Sequence, residues 1–505
     1  MKRYLRLFTR AQPLRGALFT LLALTLTPTL TLHCGHLISS APITLTLPSL
    51  FSSILQFLLE GPGGPALSFL FERKLLVLSL SWCALVALAA YRATRPLPVY
   101  LLEYACFKPD NDRKLSYETC EYFVRRSRRF NTVSEEFMRT IFLKSGLGNE
   151  TYAPPFIFQT DYEAKLKSAF QEAEEGLFSS VDALFTKTKV DPSQVDILIV
   201  ACGMFIPCPS LSSIIVSHYG FRPTIKTFNL SGMGCSAGSV SIDMAAKMLR
   251  RKPGYALVVV TESTSLNWYF GDNRHMLVTN CIFRVGTAAV LVTSDQEKRG
   301  AAKLELLRSL RTHHGADDAS YGAGIQQEDA EGNVGVALNK DLVRVAGAGL
   351  RDHITTLAPR VLPLSELLYY AYAVVRSMLL RRPGGQVGKQ TQAHSPDFTK
   401  AFEHMCFHPG GKAVINALGR LLNLTEAVLE PTRMTLHRFG NTSSSSIFYE
   451  LAYFDAKGRI RRGDRLWMLA FGTGFKACSL VWRALRDSCP DQDNPWSDCI
   501  HVYPV

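Results

Sequence analysis

From Gly16 to Leu59 the sequence contains no Asp, Glu, Lys or Arg, and a second run without charge extends from Leu75 to Tyr91. Uncharged apolar stretches that approach bilayer-spanning length are candidates for transmembrane helices. A cleaved signal peptide is the competing reading of the first run, because its start is basic. That run is too long for the apolar region of a signal peptide, and a second apolar segment follows it. Between His36 and Leu59, Pro42, Pro48 and several Ser and Thr residues suit a loop or interfacial segment, with a third crossing as the alternative. Lys2, Arg3, Arg6, Arg10 and Arg15 precede the first run, and Arg92 and Arg95 follow the second. Bases at both ends place both ends in the cytosol and predict a two-span hairpin over residues 1–95.

Other features are missing too. Twelve cysteines are scattered through 505 residues without the spacing of a disulfide framework, which suits a reducing compartment. The Asn-x-Ser/Thr matches at Asn149, Asn229, Asn423 and Asn441 are then expected to be unmodified. The net charge is +13, but the bases form no stripe with interleaved aromatics, so no nucleic acid is expected as a partner. A surface facing anionic lipid and acidic substrates explains the sign more economically. No short tandem repeat is present.

What the chain does have, beyond Arg95, is alternation of helix and strand patterns. Tyr117 to Phe142 reads as a polar helix and Tyr162 to Lys189 as an amphipathic one. Asp196 to Ala201, Thr227 to Leu230, Ala256 to Thr261, Ala288 to Thr293 and Arg465 to Phe471 read as strands, most of them buried. Helices are expected at Gly238 to Arg251, Lys340 to Thr356, Leu364 to Leu380 and Asp397 to His408. Arg381 to Ser395 is expected to be a surface loop. Such alternation predicts an α/β fold with largely buried sheets.

The segment Asn229-Leu-Ser-Gly-Met-Gly-Cys-Ser-Ala-Gly sets Cys235 between a strand and a helix. Gly232, Gly234 and Gly238 allow a sharp turn and close approach of a ligand. The helix dipole there is expected to lower the thiol pKa, and backbone N–H groups could hold a thioester oxyanion. The bland reading is a buried cysteine in a tight turn. Candidate partners are His404 and His408 in Phe402-Glu-His-Met-Cys-Phe-His-Pro-Gly-Gly, His437 and Asn441 in Leu436-His-Arg-Phe-Gly-Asn-Thr-Ser, and His313 in Arg311-Thr-His-His-Gly. His404 and His408 stand four apart, a metal-binding spacing on a helix. The Glu of the zinc protease pattern is absent and no third ligand suggests itself, so no metal is expected. His404 and His437 could equally serve core or loop hydrogen bonds. His314, His353 and His394 read as solvated.

Taken together, these segments closely resemble the plant 3-ketoacyl-CoA synthases, condensing enzymes of very-long-chain fatty acid elongation. The likeness covers nearly the whole chain. It includes the N-terminal apolar pair, Ser145-Gly-Leu-Gly-Asn-Glu-Thr-Tyr, the Cys235 motif, Asn267-Trp-Tyr-Phe-Gly, Arg311-Thr-His, Phe402-Glu-His and the run from Leu436 to Ser446. The resemblance implies a thiolase-like fold of two similar αβαβα halves, at 96–300 and 301–505, behind the membrane hairpin. It implies condensation of acyl-CoA with malonyl-CoA, with no cofactor. The family's catalytic positions fall on Cys235, His313, His404, His408, His437 and Asn441. Pro409 replaces the Ala usual after that His in plant members and is closer to type III polyketide synthases, the alternative reading. Implied as well are an endoplasmic reticulum membrane location with a cytosolic catalytic domain, a homodimer, and work alongside the reductases and dehydratase of an elongase complex.

Overall fold

The computed structural model describes residues 77–89, 91, 95–159, 162–379, 396–489 and 491–505. The chain divides into two units, Met1–Arg95 and Pro96–Val505. In the first, residues 77–89 are helical and expose Val77, Leu78, Leu80, Trp82, Leu85 and Leu88. The expected first crossing and the expected loop from Arg381 to Ser395 lie outside the described residues. No helix among the described residues is long and apolar enough to cross a membrane.

The strands of the second unit are β1 (Tyr100–Cys106), β2 (Lys114–Leu115), β3 (Thr151–Tyr152), β4 (Val195–Cys202), β5 (Lys226–Leu230), β6 (Tyr255–Glu262) and β7 (Gly286–Thr293). They continue with β8 (Leu304–His313), β9 (Gly324–Glu328), β10 (Val334–Leu338), β11 (His404–Phe407), β12 (Arg465–Gly472) and β13 (Lys476–Ala484). Nine of them form one sheet in the order β11-β12-β13-β8-β1-β7-β6-β4-β5. Among the helices of this unit are α1 (Tyr117–Ser127), α2 (Thr132–Ser145), α3 (Leu166–Thr188), α4 (Leu211–Tyr219) and α5 (Ala237–Leu249). After them come α6 (Leu342–Val361), α7 (Leu364–Leu379), α8 (Lys412–Leu422), α9 (Glu426–Phe439) and α10 (Ser446–Ala456).

Period-two alternation along the strands decides which helices they meet. On β4, Ile197, Ile199 and Ala201 pack with α5 and α10, whereas Leu198, Val200 and Cys202 pack with α3 and α4. On β12, Leu466, Met468 and Ala470 also join the α5–α10 core, whereas Trp467, Leu469 and Phe471 face α6 and α8. The layers therefore run helix, sheet, helix, sheet, helix, with α5 and α10 in the middle. The two stretches of sheet are continuous, because β1 pairs with β8 at Tyr100–Glu305 and Leu101–Leu304 as well as with β7.

Three sequence expectations need correction. The polar helix from Tyr117 to Phe142 is two helices, since Arg128 takes a left-handed φ of 50° and the Asn131 side chain caps α2 by accepting from Ser134 N at 2.8 Å. Asp397 to His408 is a short 3-10 turn (Phe398–Lys400) followed by β11, which lies parallel to β12. Met405 and Phe407 face one core and Cys406 the other, and Pro409 disfavours helix at His408. His353, read as solvated, is fully buried between Thr312 Oγ1 and Ser479 Oγ, each at 2.8 Å.

Candidate active site

Cys235 sits in a single 3-10 turn, Gly234–Ser236, between β5 and α5. Gly234 has a φ of +57°, and a Cβ on it would lie 2.8 Å from Thr473 N. A Cβ on Gly472 would lie 2.8 Å from Cys235 N, and one on Gly238 would lie 2.3 Å from Ser444 O. The three glycines thus let the Cys235 turn, the β12–β13 turn and the Ser443–Ser445 segment close on one another. Cys235 keeps partial access to solvent. Its Sγ is 3.6 Å from Ser443 Oγ.

The thiol departs from the sequence expectation. Burial pushes its pKa up to about 12, and Glu262 adds to the rise. The Ser443 hydroxyl and the local backbone N–H act in the lowering direction but do not offset the burial. Desolvation of the anion outweighs the helix start.

His408 follows β11, is 3% exposed, and lies edge-on to Phe471 with ring centres 5.5 Å apart. Its Nδ1 has no hydrogen-bond partner among the described residues. Burial lowers its pKa to about 3, so near neutral pH the ring is an uncharged imidazole with one donor nitrogen. Asn441 follows Gly440, whose φ of +70° ends α9. Asn441 N donates to Ile282 O at 3.1 Å, and Arg284 N donates to Asn441 O at 3.0 Å. Its Oδ1 accepts from Ser443 N at 2.9 Å, which fixes the amide so that Nδ2 faces Gly410 O at 3.5 Å. A Cβ on Gly410 would lie 3.4 Å from His408 Nε2. Ser443 and Gly410 thereby link Cys235, Asn441 and His408 into one cluster drawn from both stretches of sheet.

Glu262 and Ser443 were missed by sequence reasoning. Glu262 ends β6, is 3% exposed, and accepts from Met204 N at 2.8 Å, Gly203 N at 3.2 Å and Ser443 Oγ at 3.0 Å. Burial raises its pKa to about 7 against the lowering effect of these bonds. The available signal was a lone carboxylate closing an otherwise apolar buried run.

The other three histidines are placed differently. His313 ends β8, is exposed, and accepts from Gly315 N at 3.0 Å, opposite Lys476 of β13. Desolvation, Lys476 and Arg311 lower its pKa. His404 opens β11, about 13 Å along the strand from His408, and bonds Asp464 Oδ2 at 2.8 Å while packing on Phe454. The strand removes the shared helix face on which a metal reading depended. His437 lies in α9, with Nδ1 at 3.0 Å from Tyr503 Oη. Gly148 packs so tightly on its ring that a Cβ would lie 2.4 Å away.

Residues 91–379 match the family model described as FAE1/Type III polyketide synthase-like protein, and residues 399–484 match the 3-oxoacyl-acyl-carrier-protein synthase III C-terminal model. 3-Ketoacyl-CoA synthase 11 of Arabidopsis thaliana is 48% identical over 421 residues, covering 82% of this chain and 81% of that protein. 3-Ketoacyl-CoA synthase 4 of the same plant is 45% identical over 420 residues, covering 83% and 80%. Among solved structures, a fungal type III polyketide synthase, ORAS, superposes with a TM-score of 0.58 at 16% identity, over 76% of this chain and 99% of that one. At that identity the likeness shows the fold, which is thiolase-like.

Proposed function

The chain belongs to the 3-ketoacyl-CoA synthase family, and from that premise we propose that it condenses a long-chain acyl-CoA with malonyl-CoA, giving 3-ketoacyl-CoA, CO2 and CoA in very-long-chain fatty acid elongation. The observation that carries this reading is the clustering of Cys235, His408 and Asn441 through Ser443 and Gly410.

The cycle has two halves. Cys235 sulfur attacks the acyl thioester, the C–S bond to CoA breaks, and CoA leaves as the thiol with the proton that Cys235 gives up. Backbone N–H groups around Gly234–Ser236 are suited to the oxyanion of that step. Malonyl-CoA then loses CO2, and the electron pair of the broken C–C bond becomes an enolate on the thioester. A neutral His408 and the fixed Asn441 amide donate hydrogen bonds to its oxygen. The enolate carbon attacks the acyl carbonyl, the C–S bond to Cys235 breaks, and the thiolate takes one proton from solvent, the proton that the overall reaction consumes. A neutral imidazole can fill this role because one ring nitrogen still carries a proton to donate. No cofactor enters these steps. His404 and His437 serve as positioning residues through Asp464 and through Gly148 and Tyr503, and His313 shapes the strand end beside the β12–β13 turn.

The wider setting belongs to the same proposal. The two apolar runs and their basic flanks support a multi-pass anchor in the endoplasmic reticulum, with residues after Arg95 cytosolic. Protease protection in sealed microsomes tests this, and a lumenal C-terminus contradicts it. Among the described residues β5 has a strand neighbour on only one side, and Lys226 and Thr227 on it are exposed. An open edge of this kind is suited to pairing with a second copy, and on that ground we propose a homodimer, which light scattering of the purified protein checks. The elongase reductases and dehydratase are partners because the product must be reduced, dehydrated and reduced again. Expression in an elongase-deficient yeast with fatty-acid profiling tests the activity: fatty acids lengthened by two carbons support it, and cyclised polyketides favour the type III polyketide synthase reading.

A further inference from the structure

The Ser443 hydroxyl stands between two groups that the condensation cycle leaves unconnected. Its Oγ lies 3.6 Å from Cys235 Sγ and 3.0 Å from Glu262 Oε2. A serine hydroxyl has one hydrogen and two lone pairs, so it cannot donate to both neighbours at once. It can accept from one while donating to the other. With Cys235 as thiol and Glu262 as carboxylate, S–H donates to Oγ and O–H donates to the carboxylate. With the sulfur deprotonated and the carboxyl protonated, both bonds reverse. Among the described residues the side-chain hydrogen bond to Cys235 Sγ comes from Ser443, and His408 Nδ1 has no partner.

Glu262 is held as a proton acceptor rather than as an ion-pair partner. Besides Ser443, its oxygens accept from Met204 N, Gly203 N and, at 3.4 Å, Cys202 Sγ, with no cation among the bonded groups. A Cβ on Gly203 would lie 2.6 Å from Oε2, so a glycine is what admits the carboxylate. The titratable groups that face it are Cys202 and Cys235. β7 presents Gly286 opposite it, and Glu172 of α3 is engaged instead by Ser263, Thr264 and Ser265. With a pKa of about 7, Glu262 can both take and give a proton near neutrality.

We propose that Ser443 and Glu262 form a relay that receives the Cys235 proton during acylation. The relay rests on the condensation reading and serves its first half. As sulfur attacks the acyl carbonyl, the S–H proton passes to Ser443 Oγ while the Ser443 proton passes to Glu262 Oε2. When the C–S bond to CoA breaks, the CoA sulfur takes a proton back through Ser443, and Glu262 returns to carboxylate. One negative charge moves from Glu262 to the oxyanion and back, so none is added to the buried site. Burial holds the thiol near 12, so free thiolate is scarce and transfer accompanies attack. Ser443 touches the reacting sulfur, and Glu262 acts through it.

The test follows Cys235 of the full-length protein by peptide mass spectrometry from about pH 5 to pH 9 in two reactions, single-turnover acylation by long-chain acyl-CoA and alkylation by iodoacetamide. Both wild-type rates should rise about tenfold per pH unit up to a midpoint near 7 and then level. Glu262→Gln and Ser443→Ala should lose that midpoint and acylate at least about a hundredfold more slowly above it. Ser443→Ala keeps the carboxyl and its backbone partners, so it answers should Glu262→Gln fail to fold. His408→Gln should keep the midpoint in both reactions. A midpoint near 7 that persists in Glu262→Gln or Ser443→Ala, that vanishes in His408→Gln, or that is absent from wild type overturns the relay. Acyl label in wild type alongside any of these results leaves the condensation reading standing. Alkylation with the expected profiles but no acyl label in wild type overturns the condensation reading and leaves the proton path from Cys235 to Glu262.

Discussion

At the scale of single residues, Asn441 and Glu262 make opposite contributions. Asn441 offers one amide donor whose direction is set by Ser443 N. Asn441→Ala should leave acylation of Cys235 intact and slow malonyl-CoA decarboxylation by roughly a hundredfold or more, the usual cost of one oxyanion donor. Single-turnover measurement of each step checks this, and equal loss of both would remove the role. Glu262 is a buried carboxyl with a pKa near 7 against an ordinary 4.5. The fold therefore favours the neutral form: its stabilisation is complete below about pH 4 and is lost as pH rises through 7. Between pH 5 and pH 8 the wild-type chain should lose about 2.5 kcal/mol that Glu262→Gln does not lose. Melting temperatures of both proteins across that range show it as different slopes, and parallel slopes would contradict the assignment.

Cys235, His408 and Asn441, which the structure brings into one cluster, were singled out together by the family resemblance, and each also stands within two residues of a glycine. Glu262 was not, because its partners are backbone amides of β4's end and a serine about 180 residues away. The thiol's raised pKa was also invisible, since helix position can be read from spacing but burial by distant segments cannot. His353 failed for the same reason, being enclosed by Thr312 and Ser479.

At the scale of elements, the long buried strands and amphipathic helices were readable, with ends shifted by a few residues. β11 was not. Its four residues bury side chains on both faces, so they show neither strand alternation nor enough length, and the spacing of His404 and His408 imitates a helix. The division of α1 from α2 depends on one left-handed residue and one cap. Asn131→Ala should cost α2 about 1 kcal/mol, read as a lower melting temperature with activity kept. Gly440 ends α9 with φ +70°, and a Cβ there would lie 2.4 Å from Arg284 Cγ. Gly440→Ala should destabilise by about 1–3 kcal/mol and also slow decarboxylation, because Asn441 is the next residue. An Asn131→Ala protein that is destabilised yet decarboxylates normally separates the two effects.

At the scale of the whole molecule, the layered order explains why Cys235 and Ser443, distant in sequence, meet. α5 and α10 share the middle layer, so the turns that start them, at Cys235 and at Ser443, face each other across it. The alternation of strands and helices disclosed an α/β fold with buried sheets, and the resemblance implied its layers, but neither showed the continuity of the sheet through β1 and β8, because pairing between distant strands leaves no local pattern. The central claim is that Cys235 carries the acyl group before condensation. Purified full-length protein should take up label from radioactive long-chain acyl-CoA as a hydroxylamine-sensitive thioester, and malonyl-CoA should discharge that label as 3-ketoacyl-CoA. Cys235→Ala should take up none. Normal labelling and discharge in Cys235→Ala would contradict the account.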